Sequence, residues 1–110
     1  MSFSLPFSSR TMTNLSRKRI HDRALNASVT GLDDYLIALP VSSDDLEAGD
    51  VIGRVPVNGL AIRDLSGEEL GALMAMYGLE WKQDMFDIEV RIAWCRFVGC
   101  GRELIERVIG

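Results

Sequence analysis

The stretch Ser66-Gly67-Glu68-Glu69 constrains this chain more than any other, because it writes a helix start in local chemistry alone. A Ser side chain can accept from the backbone N–H three residues on, while the Glu at that position reaches back to the Ser N–H. Glu68 and Glu69 also place negative charge at the positive end of the helix dipole. Leu70, Leu73, Met74 and Tyr77 then fall at i, i+3, i+4 and i+7, and Gly78 suits the residue just past the helix end. A helix over 67–77 is therefore expected.

Immediately before it, Val51 to Val57 and Leu60 to Leu65 flank Asn58-Gly59. Both turn residues tolerate positive φ, which a type I′ turn requires, so the pattern predicts a β-hairpin at about 51–65. Pro56 cannot donate a ladder hydrogen bond and would put the first strand at an edge. Residues 86–94, FDIEVRIAW, carry two patterns at once. Phe86, Ile88, Val90, Ile92 and Trp94 alternate with Asp87, Glu89, Arg91 and Ala93 as in a strand. Phe86, Val90, Ala93, Trp94 and Phe97 also make a helical stripe, so 86–98 is read as a helix or a third strand.

Elsewhere the signals are helical or irregular. A helix is expected from Thr13 or Asn14 to about Ala27, with Leu15, Ile20, Ala24 and Leu25 as its apolar face. Leu32, Tyr35, Leu36 and Leu39 fit a helical turn stopped by Pro40, or a strand over 35–39. Residues 42–50 read as an acidic loop, and Arg102 to Ile109 as a short helix with Arg102–Glu106 and Glu103–Arg107 pairs. The sum is one α+β domain over 13–110, a hairpin packed on three or four helices, behind a flexible basic, Ser-rich leader at 1–12.

At 110 residues, with 47% hydrophobic and 25% charged residues, the chain has the composition of one globular domain. No apolar run approaches the roughly 18 residues of a membrane span, nor is there a hydrophobic signal core at the start, so a cytoplasmic protein with no membrane contact is expected. The net charge of −4 is uneven. Residues 1–23 hold five bases against one acid, a balance of +4, and residues 24–110 hold seven bases against fifteen acids, a body of −8. Such a body repels phosphate and disfavours nucleic acid as a partner.

Enzyme chemistry is hard to assemble from these residues. His21 is the only histidine and Cys95 and Cys100 the only cysteines, too few for a four-ligand zinc site. His21 has only Asp22 beside it, and both cysteines lie in or beside an apolar run, as reduced core residues do. Asp33-Asp34, Asp44-Asp45 and Glu68-Glu69 are explained by solvation or helix capping. Gly99-Cys100-Gly101 has Leu104 where a dinucleotide fingerprint needs its third glycine, so no catalytic residue, metal or cofactor is assigned.

A surplus of Met and aromatic residues near 67–86 points instead to protein binding. The residues singled out for partner contact are Leu73, Met76, Tyr77, Trp81, Met85 and Phe86, with Trp81 as the anchor. The reading as plain core stands beside this one.

Val55, Pro56, Val57, Gly59, Leu60, Ile62, Arg63, Leu65, Ser66, Glu68 and Glu69 form the sequence VPVNGLAIRDLSGEE. This resembles the small tail-assembly chaperones of long-tailed bacteriophages, with a looser likeness in RIAWCRFVG. The resemblance implies helices in the later segments, and so a helix rather than a strand at 86–94. It also implies self-association, and binding of a tape-measure protein whose long apolar helices are kept soluble in the host cytoplasm during tail assembly. The acidic body supports a different expectation, a small inhibitor from a phage or mobile element that covers a basic surface on a host nucleic-acid-processing protein.

Overall fold

Where the residue pattern pointed to the second strand of a hairpin, the chain forms a short helix. The computed structural model describes residues 14–41, 55–82 and 84–110. Within them lie five helices: α1 (Asn14–Asn26), α2 (Gly59–Asp64), α3 (Gly67–Met76), α4 (Asp87–Val98) and α5 (Arg102–Ile109). No strand occurs among the described residues, which overturns the α+β expectation in favour of an all-helical one. The expected leader, the acidic loop at 42–50 and the first four residues of the hairpin lie outside the described residues.

Asn58 explains the hairpin error. Its backbone is extended, at φ −162°, and its Oδ1 accepts the Ala61 N–H at 2.8 Å, so it caps α2. Asn is favoured in both roles, as a helix N-cap and in a type I′ turn, and the dipeptide alone does not separate them. Gly59 serves close packing: a Cβ there would stand 3.2 Å from both Leu104 and Val108 on α5. Two backbone bonds complete the junction, Leu36 N–H to the Val57 carbonyl at 2.7 Å and Leu60 N–H to the Leu32 carbonyl at 3.0 Å.

Residues 32–40 are neither helix nor strand. Gly31 to Asp34 close a turn, with the Asp34 carboxylate accepting the Gly31 N–H at 3.1 Å, and the chain then runs extended. Short acidic side chains compete for backbone donors in this way and interrupt a helix before it propagates. Leu36 and Leu39 still reach the core, while Tyr35 faces solvent.

The capping box of α3 is present in full: Glu69 N–H donates to Ser66 Oγ at 3.1 Å, and Ser66 N–H to Glu69 Oε1 at 2.9 Å. The helix ends at left-handed Gly78, where Leu79 N–H reaches the Met74 carbonyl at 2.9 Å. Segment 86–98 resolves as the helix α4, so the alternating strand pattern there is corrected. Val90, Trp94 and Val98 occupy one buried face at helical spacing, and the Glu89 carboxylate takes the Phe86 N–H at 2.9 Å at its start. Trp94 is fully buried and meets Tyr77 edge-on at 5.4 Å, where α3 and α4 pack. In α5, both expected pairs form, Arg107–Glu103 at 2.8 Å and Arg102–Glu106 at 3.2 Å.

Helix α1 docks by its polar face, contrary to the apolar face expected for it. Arg23 Nε donates to the Phe97 carbonyl at 2.6 Å and Asn26 Nδ2 to the Val98 carbonyl at 2.8 Å. These are end-of-helix carbonyls of α4, which have no partner within their own helix, and a cation there also meets the negative end of the dipole. Arg19 holds the extended segment through the Pro40 and Val41 carbonyls at 3.0 and 2.9 Å. Burial, then the neighbouring Arg23 charge, lowers the Arg19 pKa from its ordinary value, against a smaller opposing effect of Tyr77. Ile20 and Leu25 are left about half exposed on the outer side.

Candidate functional site

Helix α3 has three working faces. Leu70, Met74 and Tyr77 enter the core. Gly67 and Gly71 form a second, hollow face: a Cβ on Gly67 would strike the Asp87 carboxylate, and one on Gly71 would strike the Trp81 indole. Together with the preceding Leu65, the third face carries Glu69, Ala72, Leu73 and Met76, which line an open groove of about 250 Å³. Positions 69, 72, 73 and 76 share one side because their spacings of three and four residues match the helical turn.

The groove is apolar along its floor and acidic at the end where α3 begins. Glu68 and Glu69 are exposed there, and one Glu69 oxygen is engaged by the Ser66 N–H. Near the same end, Asp87 approaches Gly67, and Arg91 Nη2 donates to the Leu65 carbonyl at 2.9 Å, so the start of α4 lies beside the start of α3. Phe86 and Ile88 at this start are 71% and 46% exposed, a pair of large apolar side chains in solvent.

The six residues expected at a partner surface separate into distinct environments. Leu73 and Met76 meet in the groove, Leu73 being largely buried and Met76 partly so. Tyr77 is buried, with its hydroxyl donating to the Leu39 carbonyl at 2.6 Å. Trp81 and Met85 are partly buried against the core, Trp81 lying over Gly71. Phe86 stands clear of the body. The structure adds Leu65, Glu69 and Ala72 to the groove. Their signal was a second stripe at 65, 72 and 76, running beside the stronger core stripe of the same helix. Ile88 was hidden because the strand pattern grouped it with Val90.

The residues screened for catalysis are dispersed. His21 is exposed on α1, its Nδ1 3.5 Å from Asp22 Oδ1. The Asp22 carboxylate is buried and takes Lys18 Nζ at 2.6 Å, while its second oxygen has no hydrogen-bond partner. Cys95 and Cys100 are free, buried thiols at the end of α4. Hydrogen bonding to Cys100, then burial, raises the Cys95 pKa far above the usual thiol range, and the same bond lowers that of Cys100 against the effect of burial. Among the described residues, no three His, Cys, Asp or Glu side chains are placed to share a metal ion. No helix among them is long and apolar enough to cross a membrane.

No protein-family model, curated protein or solved structure matches the chain.

Proposed function

We propose that this chain is a non-enzymatic protein-binding domain that receives an apolar helix against the outer face of α3, in the manner of a phage tail-assembly chaperone holding tape-measure helices soluble. The observation that carries the reading is the groove of Leu65, Glu69, Ala72, Leu73 and Met76. A helix laid in such a groove buries side chains at i, i+3, i+4 and i+7 against it. The acidic end selects a partner whose apolar stripe is flanked by Lys or Arg, because complementary charge steers encounter and fixes direction. Phe86 and Ile88, exposed at the start of α4, offer a second apolar contact, and aromatic residues are enriched at interfaces.

The test is a pull-down from the native source with the full chain as bait, run beside an Ala72→Glu, Met76→Glu double variant. The reading expects a long, apolar, helical protein captured by the natural chain and lost with the variant, at unchanged helical circular dichroism. Equal capture by both baits, or capture only of proteins without such helices, would overturn it.

A further inference from the structure

We propose that Cys95 and Cys100 are an oxidisable dithiol, closed to an intramolecular disulfide by a two-electron oxidant of the peroxide class. The geometry comes from the way α4 stops. Gly99 adopts a left-handed conformation at φ 95°, Gly99 N–H bonds the Arg96 carbonyl at 3.2 Å, and Cys100 N–H bonds the Cys95 carbonyl at 2.9 Å. These are the two bonds of a Schellman turn, which folds the residue after the glycine back over the last turn of the helix. The side chains in that contact are ordinarily apolar; here both are thiols. Backbones held this close bring two Cys side chains into the span that one disulfide bridges.

The two sulfurs are not equivalent. Cys95 is fully enclosed, while Cys100 keeps 8% of its surface open. An oxidant therefore meets Cys100 first, and the thiol coupling that raises the Cys95 pKa and lowers that of Cys100 acts in the same direction. Cys100 is therefore the attacking group. Its thiolate takes one peroxide oxygen as the O–O bond breaks, giving a sulfenic acid and a hydroxide that is protonated to water. The Cys95 sulfur then attacks the Cys100 sulfur: the S–S bond forms, the S–OH bond breaks, and the Cys95 proton leaves with that hydroxide as a second water. Two thiols are oxidised and one peroxide is reduced to two waters.

The test uses the folded full chain with hydrogen peroxide as the probe, followed by blocking of free thiols and tryptic mapping. The expected product is a monomer lighter by two hydrogens, in which peptide Ile92–Arg96 is linked to Phe97–Arg102, and which a thiol reductant restores. A C95S variant should accumulate a sulfenic acid at Cys100 that dimedone traps, and a C100S variant should leave Cys95 unmodified over the same time. The wild-type map decides the matter even if a variant fails to fold. Thiols that stay unmodified until denaturant is added, or that link only between chains, would overturn the proposal.

Discussion

The side-chain amide of Asn26 on α1 donates to the carbonyl of Val98 at the end of α4, 2.8 Å away and 72 residues distant in sequence. The same amide nitrogen reaches the Ile37 carbonyl at 3.0 Å, and Oδ1 accepts the Ile37 N–H at 2.8 Å. One side chain, almost wholly buried, thus joins α1, the extended segment and the core helix α4. Its partners are all backbone groups, the bond to the Val98 carbonyl being buried and those to the Ile37 N–H and carbonyl partly so.

Replacing Asn26 by Leu keeps the branched outline of the side chain, adds volume, and removes every one of these bonds. Because each buried group left unpaired costs about 1–3 kcal/mol, the variant should lose about 3 kcal/mol or more of unfolding free energy. Urea denaturation measures the loss, and hydrogen exchange should show the amides of α1 opening before the rest. Unchanged exchange in α1 would mean that Arg19 and Arg23 hold the helix without it.

Tyr77→Phe is a smaller change at the same junction. The ring contacts with Trp94 and Phe97 at 5.4 and 5.1 Å remain, and the hydroxyl that donates to the Leu39 carbonyl is removed. The expected cost is about 1–3 kcal/mol, the range for stranding one buried acceptor. A difference in urea midpoint with an unchanged slope would place it in the folded state.

Asn58 offers a test that separates its two local meanings. Ser is a good N-cap but has no preference for positive φ, so Asn58→Ser should be almost neutral for a residue that caps α2. Asn58→Ala should cost about 1 kcal/mol, because the Ala61 N–H loses its acceptor. Thermal unfolding of the pair measures both, and equal destabilisation by Ser and Ala would contradict the capping role.

These residues also mark what could be read in advance. The capping box of α3 was legible because Ser66 and Glu69 complete it between themselves, with no help from tertiary structure. Asn58-Gly59 misled because a turn and a cap share the same residue preferences, and the decision rests with Leu104 and Val108, far along the chain. Segment 86–98 satisfied two periods; exposure of Ile88, which a strand would bury beside Val90, and burial of Val98 four residues after Trp94 decide for the helix. The span of helix α1 was legible, but its docking face was not: its inward side chains bond backbone carbonyls, and a carbonyl leaves no trace in a residue pattern. At the candidate site Leu73 and Met76 followed from the stripe on α3, whereas the seat of Trp81 depends on the absence of a side chain at Gly71.

Gly71→Ala should therefore destabilise despite the gain in helix propensity. Ala is favoured over Gly by about 1 kcal/mol in a helix interior. The added Cβ, however, would fall against Trp81 Cε2 and Cδ2, inside the ring's own volume. The indole must swing outward into solvent, giving up part of the roughly 1.5–3 kcal/mol that burying a large apolar side chain supplies. Intrinsic fluorescence checks this directly, since Trp94 stays enclosed and any red shift reports Trp81. An unshifted spectrum with raised stability would show that the ring has room to move within its seat.

Ala72→Glu tests the groove without touching the core. Ala72 is exposed, so the change should alter stability by no more than about 0.5 kcal/mol. It nevertheless adds a carboxylate to the groove floor, beside Leu73 and Met76, where a bound helix would have to desolvate it. Partner affinity should fall at least about tenfold, the ~1.4 kcal/mol that marks a contributing interface position. Phe86→Ala removes the most exposed aromatic instead and should weaken the same partner while leaving the groove intact. Titration calorimetry on both variants separates the outcomes: loss with Ala72→Glu alone confines the contact to α3, and loss with both extends it to the start of α4. Undiminished affinity in both would move the partner surface away from α3 altogether.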